Sequence, residues 1–333
     1  PSDGVVLGPN GTAYQTTRSY NAATNTDTTT VTAINPTTGA AQTYTLTGIA
    51  TGGAIDQTAS PTGSVVVGPN DIAYQTTSTT NATTGTTTYA VTMINPNTGV
   101  TKTYSLTGTP SGSVVIGPNG TAYQTTTDGS NTKVLIINPT IATAPLLLGT
   151  PSGSVVIGPD GTAYQTTNSY NFVAGAYATT VTAINPSTGA ITTTATLAGS
   201  PSGGVVFGPN GNAYQTTYTV NNTNGNESWA VTAINPATGA TTTATLTGTP
   251  LSAVYAPDGT AYLTTLNTNT SPPTYAVTVI NPNTGETATH PLTGVAEGLV
   301  IGPNGIAYQT TYTSTYNATT GTYNYTTTVT AIG

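Results

Sequence analysis

The sequence carries very little charge. Charged residues make up 4% of its 333 residues, against about 25% in ordinary soluble proteins. The basic residues are Arg18, Lys102 and Lys133, and the formal net charge is -7. Binding to nucleic acid or to an anionic membrane surface depends on clustered cations. The composition therefore excludes both partners and indicates a surface of neutral polar groups, chiefly Thr.

Cysteine is absent, which excludes disulfides, thiol catalysis and cysteine metal sites. The longest apolar runs, such as residues 134–137 and 145–148, are far too short to span a bilayer. We therefore expect no direct membrane insertion. Thr-rich, charge-poor surfaces are more usual outside cells than in the cytosol, so we expect an extracellular or cell-surface protein.

What the sequence does contain is one unit that recurs seven times. A phrase of the type GPNGTAYQTT is followed each time by one of the type VTAINP, and the repeat length matches propeller blades rather than the shorter solenoid units. The first phrase includes Tyr14, Tyr74, Tyr123, Tyr164, Tyr214, Tyr262 and Tyr308, and the second includes Asn35, Asn95, Asn138, Asn185, Asn235 and Asn281, with Ala331-Ile332 in the last copy.

Turn residues divide each unit into four short β-rich runs. In the fourth copy they predict strand A at Ser154–Gly158, B at Thr162–Thr167, C at Thr180–Asn185 and D at Ala190–Leu197. A lone four-stranded meander leaves its faces and edges uncovered, and radial packing of several sheets covers them. The sequence therefore predicts an all-β fold, a seven-bladed β-propeller of four-stranded antiparallel blades. Six or eight blades stay open if the native chain is longer.

We expect a single propeller domain over residues 1–333. The seventh unit stops after strand C, so we expect the last blade to lack its outer strand in this chain. An open strand edge allows self-association by strand addition. The expected blades are residues 1–48, 61–108, 109–149, 150–199, 200–248, 249–294 and 295–333, with an insertion at 49–60.

The unit PSGSVVIGPDGTAYQTT followed by VTAINPSTGAITTTATLAG resembles the YVTN/NHL type of propeller repeat. In that type a PSG, a PDG and a Tyr-rich strand precede a VxVID-like strand. The resemblance covers essentially the whole chain and implies an architecture rather than an activity, because fold does not fix function. The phrases AYQTT and INPTTG are also similar to repeats in exported PE/PPE-type proteins of mycobacteria.

The two ends of the predicted blades differ in variability. The A–B and C–D turns are short and uniform, whereas the B–C loops differ in length and sequence, and variable loops on a rigid scaffold commonly carry binding sites. Aromatic rings beside Asn and Thr can stack on sugars or hold a protein. The alternative is that the rings only pack the loops together. The candidate partner-binding residues are Tyr20, Tyr170, Phe172, Tyr177, Tyr316 and Tyr323.

The sequence contains no recognisable set of catalytic residues. Related propeller enzymes, the streptogramin lyases, are associated with a His, an acid and a divalent metal, but the one histidine, His290, falls on an outer strand D. Asp71, Asp160 and Asp258 are explained by turn formation. The remaining acids lack calcium-loop spacing, so we expect neither a metal nor a cofactor. The acids expected on the loop side are Asp27, Asp56, Asp128, Glu227 and Glu297.

Two further features have a structural and a functional interpretation. Trp229 occupies the repeat position of Tyr89 and Tyr275, so strand packing is favoured over a role as a binding anchor. A Gln recurs before two Thr in six copies, with Leu263 as the exception, and an inter-blade hydrogen bond is favoured over a ligand-binding ring. These residues are Gln15, Gln75, Gln124, Gln165, Gln215 and Gln309.

The sequence thus predicts a non-enzymatic, extracellular or cell-surface propeller that binds a protein or glycan partner through its variable-loop face. A structural module of a surface layer or filament is the alternative. A lyase-like enzyme ranks last, because no catalytic constellation is present.

Overall fold

The computed structural model describes residues 4–50, 65–138, 141–221 and 225–333. Of the expected insertion at 49–60, residues 51–60, with Asp56, lie outside this part. The described residues contain strands and turns and no helix able to cross a membrane. The chain divides into two compact units, unit 1 with residues 1–169 and 182–192, and unit 2 with residues 170–181 and 193–333.

Unit 1 begins with three antiparallel sheets in chain order. Strand order follows chain order apart from short split strands, so each sheet is a meander. Sheet 1 has β1 (Val6–Leu7), β2 (Ala13–Asn21), β3 (Thr26–Ile34) and β4 (Ala41–Thr47). Sheet 2 has β5 (Ile49–Ala50), β6 (Val66–Val67), β7 (Ala73–Thr80), β8 (Thr87–Asn95) and β9 (Val100–Leu106). Sheet 3 has β10 (Thr109–Pro110), β11 (Val115–Ile116), β12 (Ala122–Thr127), β13 (Asn131–Ile137), β14 (Ala142–Thr143) and β15 (Leu146–Leu148).

The later sheets repeat the same meander. Sheet 4 has β16 (Thr150–Pro151), β17 (Val156–Ile157), β18 (Ala163–Asn171), β19 (Ala176–Ile184) and β20 (Ile191–Ala198). In unit 2, sheet 5 has β21 (Ser200–Pro201), β22 (Val206–Phe207), β23 (Ala213–Val220), β24 (Glu227–Ile234) and β25 (Thr241–Leu246). Sheet 6 has β26 (Thr249–Tyr255), β27 (Ala261–Asn267), β28 (Thr274–Ile280) and β29 (Thr287–Leu292), and sheet 7 has β30 (Val295–Ile301), β31 (Ala307–Asn317) and β32 (Thr322–Ile332).

The described residues form seven antiparallel sheets of this kind, which give the fold class predicted from the repeats, an all-β propeller with seven blades. The expectation of one domain over residues 1–333 stays a prediction. Ile49 and Ala50, which the sequence placed in the insertion, instead form the first strand of sheet 2. In sheet 7, β32 pairs with β31, and ten of its eleven residues are exposed.

Strand A differs most from the sequence prediction. In sheet 4, the predicted strand at Ser154–Gly158 contains β17, and a second short piece, β16, lies before it; both pair with β18. Residues 152–155 between them bulge away from the ladder, because these four residues face only residues 165–166 of β18. In sheets 6 and 7 the segment from the start of strand A to the A–B turn is one residue shorter than in sheet 4. Strand A is therefore continuous in both sheets, with a local register shift.

The core lies between neighbouring sheets of the same unit. On β4, Tyr44 and Leu46 are buried while the alternating Thr residues are exposed, as expected for a strand with one buried face. Leu46 belongs to one buried cluster with Tyr14 of the same sheet and Ile94 of sheet 2. Equivalent clusters join sheets 2 and 3, 3 and 4, 5 and 6, and 6 and 7. Burial of each large side chain contributes about 1.5–3 kcal/mol.

The recurring glutamine is a structural device. Gln124 is buried, and its side-chain amide donates to the carbonyl oxygens of Gly112, in the strand A bulge, and of Thr125. Its Oε1 accepts a hydrogen bond from the Thr76 hydroxyl of the preceding sheet at 3.1 Å. One amide therefore fixes the bulge and joins two sheets, which agrees with the inter-blade interpretation of these residues. Comparable Thr-to-Gln bonds are Thr16 to Gln75, Thr125 to Gln165 and Thr264 to Gln309.

Candidate partner-binding site

The connections between strands B and C are β-hairpins rather than irregular loops. The ladder of β2 and β3 continues to the pair Asn21 and Thr26, and that of β31 and β32 to Asn317 and Thr322. The alternation of Thr with larger residues in these segments suits a pleated strand. Side chains on these extended strands are thus held on regular backbone, which limits the freedom they lose on binding.

A five-residue turn, Asn-x-x-x-Gly, closes most of these hairpins. At the end of β18 the Asn171 Oδ1 accepts from the backbone N–H groups of Val173 at 2.9 Å and Ala174 at 3.0 Å. Gly175 follows with a φ of 64°, in the left-handed region that glycine tolerates. The C–D turn from Asn185 to Gly189 has the same bonds. The two ends of the sheets therefore share turn geometry and differ in side chains.

Three of the candidate aromatics form one cluster in unit 2. The ring centroid of Tyr170 lies 5.1 Å from that of Phe172 and 5.0 Å from that of Tyr177, and both contacts are edge-to-face, a favoured geometry for aromatic pairs. Phe172 is nonetheless 89% exposed, and the neighbouring Val173 is fully exposed. The cluster is therefore ordered by its own contacts and still presents apolar surface to solvent.

A second aromatic group lies on the hairpin of sheet 7. Tyr316 and Tyr323 are cross-strand partners with ring centroids 5.1 Å apart. Tyr325 extends the group, 6.4 Å from Tyr323 and 6.1 Å from Tyr312. Tyr325 was not among the residues predicted from the sequence, although its position two residues after Tyr323 places both on one face of a strand. Three of these four rings are mostly exposed.

Tyr20 lies on β2 of sheet 1, in unit 1. Its hydroxyl donates to the Asn25 Oδ1 at 2.7 Å across the turn that joins β2 and β3. Asn25 occupies the turn position where other hairpins have glycine, with a φ of 51°. Tyr20 therefore has a role in holding its own hairpin, and the other five candidate aromatics belong to unit 2.

Trp229 packs as the repeat pattern predicted. It lies partly buried against the core between sheets 5 and 6. Its ring centroid is 5.0 Å from that of its cross-strand partner Tyr218, with 31° between the ring planes. Its Nε1 also donates to the Glu227 Oε2 at 3.0 Å, a contact that the sequence analysis did not anticipate. The sequence did contain a sign of this contact, because an acid stands two residues before the single tryptophan of the chain.

The acids lie in separate local structures. Asp27 forms an ion pair with Arg18 at 2.6 Å. The Asp128 carboxylate accepts from the backbone N–H groups of Ser130 and Asn131, which lowers its pKa. Within the described ranges no group of three or more His, Cys, Asp or Glu side chains could hold a metal ion.

Asp160 and Asp258 fit the turn interpretation. Each accepts from the backbone N–H and the hydroxyl of the Thr two residues on, Thr162 and Thr260 respectively. His290 is exposed on β29, the fourth strand of sheet 6. Glu297 is exposed on β30.

Known proteins show only a weak structural likeness to this chain. No protein-family model matches the chain, and no curated protein matches it in sequence. The β-propeller domain of the Trilobed protease from Pyrococcus furiosus is similar with a TM-score of 0.41 and 9% identity, over 93% of this chain and 88% of that one.

Two other solved structures show the same weak likeness. An acylaminoacyl peptidase gives a TM-score of 0.42 at 11% identity, over 74% of this chain and 42% of that one. The polysaccharide lyase Uly1 gives 0.38 at 10% identity, over 93% and 86%. Similarity at this level carries no information on the activity of this chain.

Proposed function

We propose that this propeller is a non-enzymatic, extracellular or cell-surface binding protein that engages a protein or glycan partner through the aromatic ends of its B–C hairpins. The observation that carries the proposal is the cluster of Tyr170, Phe172 and Tyr177, whose rings are ordered against one another while Phe172 stays exposed.

Exposure of such a cluster has no benefit for folding. A buried aromatic side chain stabilises a protein, whereas an exposed one leaves apolar surface in water. The same ring on a rigid hairpin is an efficient contact, because few torsions are lost when a partner covers it. The exposed rings on the hairpins with Tyr170 and with Tyr316 therefore favour a role in binding a partner over a role in internal packing.

The chemistry around the rings favours a partner without strong charge. Asn and Thr residues lie close in sequence to the exposed aromatics, and the chain has only three basic residues. Hydrogen-bonding side chains next to a ring face suit hydroxyl groups of a glycan or the backbone and neutral side chains of a protein.

Binding of the protein to glycan arrays and to intact cells tests the proposal. One variant carries Tyr170→Ser, Phe172→Ser and Tyr177→Ser. A matched control replaces exposed apolar residues at the opposite strand ends, Val100→Ser and Ile191→Ser. We expect the first variant to lose at least about ten-fold in affinity, since buried aromatic anchors commonly account for 2 kcal/mol or more, and the control to bind like the wild type.

Equal binding by the wild type and the hairpin variant, with both folded by circular dichroism, would contradict the proposal. Loss of binding in the control variant alone would move the site to the other end of the sheets. Turnover of a glycan or peptide by the wild type would contradict the non-enzymatic part.

A second candidate function, an assembly module of a surface layer or filament, rests on β32. This strand is exposed along most of its length and pairs with β31 within the described residues, and an exposed strand edge templates pairing with another chain. Sedimentation at rising concentration checks it. Assembly that Thr328→Lys abolishes supports this function, and a dispersed monomer at high concentration contradicts it.

A further inference from the structure

A polar cleft of about 220 Å³ lies in unit 2, next to the hairpin of β23 and β24 and to the end of β27. Its volume is below the roughly 300–1,000 Å³ of pockets for drug-sized ligands, so it matches a single small ring. The residues that give it its chemistry are Asn226, Glu227, Trp229, Thr249, Asn267 and Asn269.

The aromatic wall of the cleft is fixed in place. Tyr218, which does not line the cleft, packs against the Trp229 ring from the neighbouring strand. Glu227 lies two residues before Trp229, on the same face of β24, and accepts the indole N–H at 3.0 Å. The indole thus has a set orientation, with a carboxylate at its edge.

The opposite wall is equally constrained. A Cβ at Gly248 would collide with the backbone at Leu266 and Asn267, so glycine lets the connection to β26 approach β27 closely. Thr249 and Leu266 are cross-strand partners just beyond this point. The Asn267 Oδ1 accepts from the Asn269 N–H at 2.9 Å, which holds the rim of the cleft in a tight turn.

We propose that this cleft binds one neutral sugar ring of a glycan. A pyranose has an apolar C–H face that packs on an aromatic ring and hydroxyl groups around its edge. Glu227 has acceptor positions beyond the one that the indole uses, and the asparagine amides offer both donors and acceptors. The inference rests on the proposed function and specifies the glycan as the partner at this hairpin.

Other ligand chemistries fit less well. An acidic sugar would meet the Glu227 carboxylate, and within the lining no Lys or Arg is present to balance it. A quaternary ammonium ion is bound by several aromatic rings that surround it, whereas Trp229 is the single aromatic residue of this lining.

The same chemistry does not recur at the equivalent positions. Tyr89 in sheet 2 and Tyr275 in sheet 6 take the place of Trp229, and Thr87 and Pro273 take the place of Glu227. The combination of an indole with a carboxylate two residues earlier thus belongs to sheet 5. Tyr89 provides a matched control, because it also lines a cleft, between sheets 1 and 2.

Tryptophan fluorescence tests the inference directly, since Trp229 is the only tryptophan of the chain. The protein is titrated with glucose, galactose, mannose and N-acetylglucosamine, and separately with sodium glucuronate and tetramethylammonium chloride. We expect a saturable change in emission with at least one of the four neutral sugars. No saturation with any of the four, or tighter binding of glucuronate or tetramethylammonium, would overturn the inference.

Variants then locate the site. We expect Glu227→Gln to weaken binding of that sugar by about ten-fold or more, because hydrogen bonds to a charged group are among the stronger ones. Tyr89→Ala should bind like the wild type. Because Trp229→Phe removes the emission, its binding is measured by calorimetry. We expect weaker binding in Trp229→Phe, which keeps an aromatic ring, and none in Trp229→Leu, which has no ring. Unchanged affinity in Glu227→Gln and Trp229→Leu would contradict the assignment.

The two proposals fail separately. If the sugars do not bind here while the Tyr170 hairpin variant still loses its partner, the sugar site is wrong and the proposed function stands. If a sugar saturates Trp229 while the hairpin variant keeps its partner, the sugar site stands and the aromatic hairpin ends are not the contact surface.

Discussion

The Thr125 hydroxyl donates to the Gln165 Oε1 at 2.7 Å and joins sheet 3 to sheet 4 in unit 1. The Gln165 amide also donates to the carbonyl oxygens of Gly153 at 3.1 Å and Thr166 at 2.9 Å. The side chain is fully buried. With these three partners the buried amide is fully hydrogen-bonded, whereas an apolar residue in its place would leave the three partner groups without this hydrogen bond.

Replacement of this glutamine should destabilise the protein. We expect Gln165→Leu, which imitates the natural Leu263 of sheet 6, to lower the free energy of unfolding by about 1–3 kcal/mol, because the Thr125 hydroxyl and the Gly153 carbonyl lose a buried partner. Urea denaturation measures the change. Gln42→Leu, at an exposed position of β4, is the control, and an equal effect of the two variants would show that the hydrogen bonds are not the cause.

Buried tyrosines should make the fold sensitive to alkaline pH. Burial, with a smaller effect of Asp71, raises the pKa of Tyr14 to about 12 from 10.0, and burial does the same for Tyr74 and Tyr123. The folded state keeps these protons while the unfolded chain loses them, so the stabilisation is complete below pH 10 and is lost as the pH rises from 10 towards 12.

Thermal melts from pH 8 to pH 12 check this expectation. The wild type should lose stability steeply above pH 10. Tyr14→Phe should be less stable at pH 8, since the Tyr14 hydroxyl donates to the Asp71 carbonyl at 2.7 Å, but its further loss between pH 10 and pH 12 should be smaller. Parallel pH profiles for the two proteins would contradict the assignment to Tyr14.

The left-handed residue at the hairpin of sheet 1 gives a third prediction. Asn25 has a φ of 51°. Alanine adopts this left-handed conformation at a cost of about 1 kcal/mol, whereas glycine adopts it without that cost. We expect Asn25→Ala to speed amide exchange in residues 19–28, and Asn25→Gly to do so less, although both lose the bond from Tyr20. Equal exchange in the two variants would mean that the Tyr20 contact, not the backbone, sets the stability of this hairpin.

The exposed cluster gives a fourth prediction. Phe172→Ser should change the free energy of unfolding by less than about 0.5 kcal/mol, because the ring is mostly in solvent. Tyr170→Ser should cost about 1 kcal/mol, since Tyr170 contacts both other rings. Urea denaturation of the two variants separates them. A large loss with Phe172→Ser would show a packing role and weaken the case for recognition.

Much of this architecture follows from local sequence. The turn at Asn185 and the left-handed Gly189 could be predicted because Asn and Gly act within a few residues of chain. The repeated Gln residues indicated inter-blade hydrogen bonds, because a residue that recurs at the same position of each repeat more often has a structural role than a ligand-binding one. The hairpin form of the B–C connections was not predicted, because Thr-rich segments fit both loops and exposed strands until their partner strand is known.

The parts of the site that were missed depend on neighbours across strands or sheets. Tyr325 meets Tyr312 only through the register of β31 and β32. The cleft at Trp229 requires Asn267 and Thr249 from sheet 6, which lie far away in sequence. Sequence patterns describe one strand at a time and do not show which side chains of another sheet complete a cleft.

The most direct test of the central claim is hydrogen–deuterium exchange on the protein with and without its tightest-binding glycan or cell-surface protein. The proposed recognition by aromatic hairpin ends predicts protection in residues 168–180 and 312–326, with residues 185–189 at the opposite strand ends unchanged. Protection confined to residues 185–189 and the other Asn-Pro turns, with both hairpins unchanged, would contradict it.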